Sequence, residues 1–113
     1  MDKLERYRTF IKRILTEYHD WVSDSSNLTD ESCLVFDDQH NHYIWLFLGW
    51  EGKKQTRHIQ VHIRIKNEKI YIEQDWTEEG IVTELLNLGV PKEDIVLAFY
   101  PPEERKFTEF ATM

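Results

Sequence analysis

The sequence predicts an α+β fold, in which an N-terminal helix packs on an antiparallel four- to five-strand meander sheet and a second short helix lies near the C-terminus. Three observations lead to this prediction. The first 22 residues repeat apolar side chains at helical spacing, four apolar runs separated by polar turns follow, and a short helical stretch precedes a last apolar run. Helices grouped outside a meander are typical of α+β domains.

Residues 2–22 are predicted to form the first helix. Apolar side chains recur at steps of three and four from Leu4 to Trp21 or Val22, so they form one stripe. Asp2 suits the N-terminus, because its carboxylate can accept hydrogen bonds from unpaired N–H groups. The Lys and Arg residues opposite the stripe are interpreted as a solvated face. Residues 23–27 are polar and predict a loop.

Four strands are predicted next, joined by polar turns. Their expected bounds are Cys33–Asp37, Tyr43–Trp50, Arg57–Ile65 and Ile70–Gln74. The second strand is apolar without alternation, which indicates a central strand covered on both faces. The third strand alternates, so that Ile59 and every second residue to Ile65 share one face, with His58 to Arg64 on the other.

A short second helix and a fifth strand are predicted after the meander. Thr77 is expected to be the N-cap of the helix, and Gly89 to end it. Residues 95–99 are predicted to form the fifth strand, which stops at Pro101-Pro102 because proline cannot donate a hydrogen bond to a sheet. We expect Phe107 and Phe110 of the polar tail to pack back on the body.

The length and composition predict one domain over residues 1–113. The 41% of hydrophobic residues is typical of a folded chain and argues against disorder. The single cysteine, Cys33, excludes an intramolecular disulfide and begins an apolar run, so we expect a buried small hydrophobe. The absence of a signal peptide and of a long apolar run predicts a cytoplasmic protein that does not insert into a membrane.

The formal net charge of −7 makes direct DNA binding doubtful, because DNA-binding proteins usually cluster Lys and Arg against the phosphates. An acidic domain is better suited to a basic partner, although the charge could also serve only to keep the protein soluble. One locally basic region surrounds the third strand, with Lys53, Lys54, Arg57 and Arg64. It could contact nucleic acid or pair with the acidic stretch 75–84, and the second interpretation is preferred.

No constellation of residues predicts catalysis. His58 and His62 share a strand face but lie about 13 Å apart, which is too far to share one metal ion. The chain contains no Gly-rich phosphate loop and no nucleophile motif. We therefore expect no catalytic residues, no metal and no cofactor. A weaker alternative is a nuclease subunit with Asp75, Glu79 and Glu84 as nominal metal ligands, although their spacing is not specific.

A partner-binding surface is predicted where loops leave the elements, because loops on a rigid scaffold often bind partners. Its candidate residues are Asp75, Trp76, Glu78, Glu79, Tyr100, Pro101 and Pro102. An exposed tryptophan is a typical interface anchor. The alternative is that these residues only cap and stop local structure. Self-association is also expected, because the edge strands of a small sheet invite pairing.

Several segments together resemble the XisI-like family, the fdxN element excision controlling factors. They are 1–8, His42-Tyr43, 49–53, 69–72, 77–85, 89–102 and 108–111, and they extend over essentially the whole chain. Two segments depart from the family pattern. Asp75-Trp76-Thr77 stands where the family usually has Asp-Gly-Thr, and Tyr100 stands where it often has His before Pro-Pro. Any chemistry of that His would be missing from this chain.

The resemblance implies an accessory or regulatory factor in the programmed excision of a DNA element by site-specific recombination in cyanobacteria. Family members look like factors that act with a recombinase complex and with a companion protein, XisH, which resembles nucleases. The resemblance implies no catalytic residues, in agreement with the reading of the residues themselves. The alternative is a nucleic-acid-binding accessory factor that uses the basic region around the third strand.

Overall fold

The computed structural model describes residues 2–24, 29–78 and 80–113. Residues 25–27 of the predicted loop, and Glu79, lie outside the described residues. The elements in chain order are α1 (Lys3–Ser23), β1 (Glu31–Asp37), β2 (His42–Glu51), β3 (Lys54–Lys66), β4 (Lys69–Asp75), α2 (Ile81–Asn87), a 3₁₀ turn (Lys92–Asp94), β5 (Ile95–Leu97) and a second 3₁₀ turn (Pro102–Phe107). The predicted α+β fold is confirmed.

Helix α1 begins and ends within one residue of the prediction. The Asp2 carboxylate accepts a hydrogen bond of 2.8 Å from the backbone N–H of Glu5, as expected of an N-cap. The apolar stripe faces the sheet, and its buried members are Tyr7, Ile11, Ile14 and Leu15. At the end of the stripe Val22 is half-buried, whereas Trp21 is 77% exposed. Trp21 therefore stands free of the core.

The five strands lie side by side in chain order. Strands β1 to β4 form the predicted antiparallel meander, but β5 pairs with β4 in parallel, with Ile70 opposite Ile95 and Ile72 opposite Leu97. Neighbouring parallel strands need a crossover connection, and α2 provides it. The antiparallel prediction therefore holds for four strands and is wrong for the fifth.

The two faces of the sheet differ over β1, β2 and β3. Paired residues of neighbouring strands point to the same face. On β2, Tyr43 and Trp45 turn toward α1 and are buried, whereas Ile44, Leu46 and Leu48 turn away and are half-buried. We call this second side of β1–β3 the outer face. The prediction that β2 is covered on both faces is wrong, because no described element packs on the outer face there.

A β-bulge in β3 corrects the predicted alternation. Trp45 pairs with Val61 but Leu46 pairs with Ile59, so Gln60 is an extra residue between them. An extra residue moves every later side chain to the other face. Ile59 consequently lies on the outer face, 40% exposed, and not in the core with Val61.

Cys33 and the C-terminal tail also differ in part from expectation. Cys33 is half-buried on the outer face, and burial, followed by the nearby Glu31 carboxylate, raises the pKa of its thiol.

In the tail, the Ala111 N–H donates to the Ile95 carbonyl at 2.9 Å, and the neighbouring Phe110 packs against the core. Phe107 is 80% exposed, so its predicted packing is wrong. The backbone attachment at residue 111 brings only the nearer phenylalanine to the core.

Asp94 is the one charged residue buried among those that the structure describes. Its carboxylate accepts a short hydrogen bond from the Tyr7 hydroxyl and lies 2.8 Å from Lys3 Nζ. Burial raises the pKa of Asp94, but the hydrogen bonds from Lys3 and Tyr7 and the charge of Lys3 together outweigh it and lower the pKa. Burial and the Asp94 contact raise the pKa of Tyr7 to about 12. This cluster ties α1 to the turn before β5.

Candidate functional site: an acidic, aromatic groove

A groove of about 500 Å³ opens between the C-terminal half of α1, strands β2 and β3, and the segment that connects β4 to α2. Aromatic and acidic side chains dominate its lining. The lining residues are Glu17, Tyr18, Trp21, Val22, Trp45, Phe47, Gln60, Thr77, Glu78 and Glu84. A concave apolar surface with a few converging polar groups is the usual form of a binding site.

Trp45 forms the floor of the groove. Its ring stacks on Tyr18 with the centroids 5.5 Å apart, and Phe47 tilts against it at 5.3 Å. The indole N–H donates a hydrogen bond of 2.7 Å to Ser32 Oγ, so the polar edge of this buried ring has its partner. The floor is therefore fixed by packing and by a hydrogen bond before any ligand arrives.

The polar end of the groove is built around Tyr18 and Glu84. Burial, followed by a hydrogen bond to Glu84 and the charge of that carboxylate, raises the pKa of Tyr18, which keeps the hydroxyl protonated. Among the described residues, the Oε2 atom of Glu84 is the one buried side-chain oxygen without a hydrogen-bond partner. A buried carboxylate oxygen without a partner is costly, and a cationic hydrogen-bond donor entering the groove would satisfy it.

Asp75 shapes the segment that leads into α2. Its Oδ1 accepts hydrogen bonds from the backbone N–H and the hydroxyl of Thr77 at 2.9 and 2.6 Å, and its Oδ2 accepts from Ile81 N at 2.7 Å. Thr77 Oγ1 in turn accepts from Gly80 N at 3.1 Å, and Gly80 has a φ of 86°. The helix begins at Ile81, so the predicted N-cap at Thr77 is wrong. The carboxylate of Asp75, six residues upstream of Ile81, accepts the hydrogen bond from the first N–H of the helix instead.

The structure divides the predicted partner-binding residues. Glu78 lines the groove, and Asp75 holds the adjoining segment in place through its own hydrogen bonds. Trp76 precedes two lining residues and is exposed, while its backbone is fixed to the bulge residue Gln60 by bonds of 2.9 and 3.1 Å. The bulge of β3 therefore positions this part of the site. Glu79 lies outside the described residues.

The second predicted cluster, at 100–102, lies apart from the groove lining. The parallel pairing of β4 and β5 brings both clusters to the same end of the sheet. Tyr100 is exposed and tilts against Phe99 with the ring centroids 4.8 Å apart, and its carbonyl accepts a hydrogen bond of 3.0 Å from Arg105. Pro101 and Pro102 are exposed at the start of the second 3₁₀ turn. None of the three lines the groove.

The basic residues proposed for nucleic acid do not converge. Lys53 and Lys54 lie at the β2–β3 turn, whereas Arg57 and Arg64 pair with Leu48 and His42, six residues apart on β2, which is a span of about 20 Å. Arg64 lies 3.7 Å from Glu73, the one ion pair of this group among the described residues. The preferred pairing with the stretch 75–84 is therefore not found within the described part of that stretch.

Two of the five histidines, His42 and His62, form a pair. His42 Nδ1 lies 3.1 Å from His62 Nε2, and burial, followed by the charge of His42, lowers the pKa of His62. His58 bonds to Gln60 instead, at 3.0 Å. Within residues 2–24, 29–78 and 80–113, no three His, Cys, Asp or Glu side chains are grouped closely enough to hold a metal ion.

None of the helices in these ranges is long and apolar enough to cross a membrane.

Replacing Asp75 by Ala is expected to lower the free energy of unfolding by about 1–2 kcal/mol, as for the loss of a helix cap. The N–H groups of Thr77 and Ile81 would lose their acceptor. Urea unfolding measures the change, and the matched control is Glu78→Ala, whose exposed side chain should contribute less than about 0.5 kcal/mol. Equal losses in both variants would contradict the capping role of Asp75.

Fold and groove together define a small α+β protein with an acidic, aromatic groove as its candidate binding site. The chain belongs to the XisI family, since the XisI protein family matches residues 1–112, and the resemblance found in the sequence is confirmed. Two solved structures from Anabaena variabilis ATCC 29413 are similar. The fdxN element excision controlling factor XisI has 44% identity and a TM-score of 0.87, with 99% of this chain and 100% of that chain covered. A XisI-like protein has 35% identity and a TM-score of 0.85, with 96% and 97% covered. The search of curated proteins gave no match.

Proposed function

We propose that this protein is an accessory factor that controls excision of a DNA element by binding a XisH-like protein through the groove. The observation that supports the proposal most is the groove itself, in a chain 44% identical to an excision controlling factor. Aromatic residues such as Trp and Tyr are common anchors of protein interfaces. The role is regulatory, and the chemistry on DNA belongs to the partner or to a recombinase complex.

The lining favours a partner that inserts a Lys or Arg side chain. Glu17, Glu78 and Glu84 supply negative charge, and the rings of Tyr18 and Trp21 can contact a cation through their faces. The net charge of −7 would steer a basic partner toward this protein over a longer range. The occupant is therefore expected to be a basic segment of the XisH-like protein.

The first test is isothermal titration of the purified protein with a purified XisH-like protein at low and high salt. We expect a complex that weakens as salt rises, because exposed charges are screened. Trp21→Ala should raise the Kd at least tenfold, as is usual for an aromatic anchor. The matched control is Phe107→Ala, an equally exposed aromatic residue outside the groove, which should leave the Kd within about threefold.

A second pair of variants tests the cationic occupant. Glu84→Gln removes a carboxylate from the groove and should weaken binding, whereas Glu103→Gln removes the same charge from the exposed second 3₁₀ turn and should not. No complex at any salt concentration would contradict the proposal. A complex that is indifferent to Trp21→Ala and Glu84→Gln would show that another surface binds the partner.

A further inference from the structure

The outer face of β1–β3 is an open apolar surface on the side of the sheet opposite the groove. Its centre consists of Cys33, Val35, Ile44, Leu46, Leu48 and Ile59, all exposed or half-buried. Three strands and four rows of side chains span roughly 10 by 20 Å between outermost Cα positions. Toward β4 and β5 the same side is closed, since Tyr71 and Val96 are buried. The two end rows of this span carry charged side chains, and an apolar patch rimmed by charged residues is typical of an interaction surface.

The strand register arranges the charges of this face in a regular pattern. Glu31 of β1, Leu48 of β2 and Arg57 of β3 form one row across the sheet, and Glu31 and Arg57 are both exposed. Three rows further along the strands, Asp37, His42 and Arg64 form a second row. Carboxylates therefore lie along β1 and guanidinium groups along β3, at matching levels on either side of the apolar centre.

We propose that the outer face binds a second copy of this chain, with the twofold axis of the dimer running along β2. Rotation about this axis leaves the position of each residue along the strand direction unchanged and exchanges the two lateral edges of the three-strand surface. As a result, β1 of one copy lies over β3 of the other. Glu31 then faces Arg57 of the second copy, and Asp37 faces Arg64. Sheets that pack face to face keep their strands within about 30° of each other, which this arrangement allows.

The charge pattern distinguishes this arrangement from the other twofold packing of two sheets. An axis in the plane of the interface but perpendicular to the strands would place β1 over β1 of the second copy and β3 over its β3, with the positions along the strands reversed. Glu31 would then face Asp37 of the second copy, and Arg57 would face its Arg64. Like charges at these positions repel, whereas the axis along β2 places each of them opposite an unlike charge. Within one chain Asp37 already lies 2.8 Å from His40 Nδ1 and Arg64 lies 3.7 Å from Glu73, so the Glu31–Arg57 pair carries most of this preference. The axis along β2 also places the exposed Trp50 of each copy opposite its counterpart. The dimer thus uses the face of the sheet and not its edge, where the sequence predicted pairing.

The mass in solution tests the dimer directly. Light scattering during gel filtration should give twice the chain mass of 13.7 kDa, with dissociation on dilution. Leu46→Asp places a charge on the axis and should give a monomer with an unchanged circular dichroism spectrum. The control is Phe107→Asp, which adds the same charge elsewhere and should remain dimeric. A wild-type monomer at all accessible concentrations, or a dimer that persists in Leu46→Asp, would overturn the proposal.

Charge exchange tests the axis. Glu31→Arg and Arg57→Glu should each raise the dimer dissociation constant at least tenfold, and the double variant should return it to within about threefold of the wild-type value. Glu31→Arg combined with Arg64→Glu carries the same net charge and should not restore the dimer. Failure of the first double variant to restore association would exclude the axis along β2.

Cross-linking gives an independent measure of the same axis. Stacked sheets lie about 10 Å apart, beyond the reach of a disulfide but within that of a short bis-maleimide. The natural Cys33 shares its row with Ile59, so Ile59→Cys should produce covalent dimers with this reagent. Val35→Cys should not, because β1 residues face β3 of the second copy. The reverse result would favour the perpendicular axis and overturn the proposed one.

Discussion

Replacing Asp94 by Ala is expected to lower the free energy of unfolding by about 2–3 kcal/mol, since the change strips a buried, charge-assisted network of its acceptor. The Tyr7 hydroxyl would remain buried without a partner. The free-energy cost of leaving Lys3 without its partner is smaller, because the Lys3 side chain is 41% exposed and water can hydrate its ammonium group. Urea unfolding followed by circular dichroism measures the difference.

Two further variants separate the contributions to this network. Tyr7→Phe should lower the free energy of unfolding by about 1 kcal/mol, and Lys3→Met by less than that, as for a partly exposed ion pair. Combined with Asp94→Ala, each should add less than it does alone, because the shared partner is already gone. Strict additivity, or a loss below about 0.5 kcal/mol for Asp94→Ala, would contradict a coupled network.

The same network predicts the acid dependence of stability. The pKa of Asp94 is lowered in the folded protein, so its contribution is fully present above the ordinary Asp value of about 3.9. The contribution is lost as the pH falls through the lower, folded-state pKa. The wild-type protein should therefore lose more stability than Asp94→Ala between about pH 5 and pH 2. Parallel curves for the two proteins would exclude this linkage.

Trp45→Ala is expected to have the largest effect, a loss of about 3–5 kcal/mol, because it leaves a cavity under the groove. The substitution removes the stacking on Tyr18 and Phe47 and leaves Ser32 without the indole donor. Trp45→Phe keeps a ring at the position and should cost about 1–2 kcal/mol. Thermal and urea unfolding measure both changes.

A matched control lies five residues further along the same strand. Trp50 is 69% exposed on the outer face, whereas Trp45 is 3% exposed. At concentrations where the chain is monomeric, Trp50→Ala should change the free energy of unfolding by less than about 0.5 kcal/mol. A comparable loss for both tryptophans would mean that burial does not set the difference.

The elements of the fold could be predicted because their sequence patterns are local. The helical stripe from Leu4 to Val22 and the polar turns between the strands depend only on neighbours in the chain. The parallel placement of β5 and the bulge at Gln60 depend on pairing between distant segments. The bulge leaves no local trace, because Gln60 fits the regular alternation of β3, and the face of Ile59 was therefore assigned wrongly.

The site was accessible from the sequence only in part. The stretch that contains residues Asp75, Trp76, Glu78 and Glu79 is predicted as partner-binding. Of these, the structure places Glu78 in the groove lining and Asp75 and Trp76 in the segment beside it, while Glu79 lies outside the described residues. The opposite wall was missed, because Tyr18 belongs to the core stripe of α1 and nothing local shows that its ring also faces an opening. Trp21 is the residue of α1 that could have indicated this wall from the sequence. A large ring at the edge of an apolar helical stripe either extends the core or stands exposed beside it.

The four tryptophans lie in three different environments, so the intrinsic fluorescence of the unlabelled protein can report on each of them. Trp45 is enclosed in the core, Trp50 stands on the outer face, and Trp21 and Trp76 lie on or beside the groove. In the monomer Trp21, Trp50 and Trp76 are already in water, so its emission spectrum should shift little on unfolding, and most of the shift should come from Trp45. A blue shift on mixing with a partner, abolished by Trp21→Phe with Trp76→Phe but kept in Trp50→Phe, would place that partner in the groove without any added label.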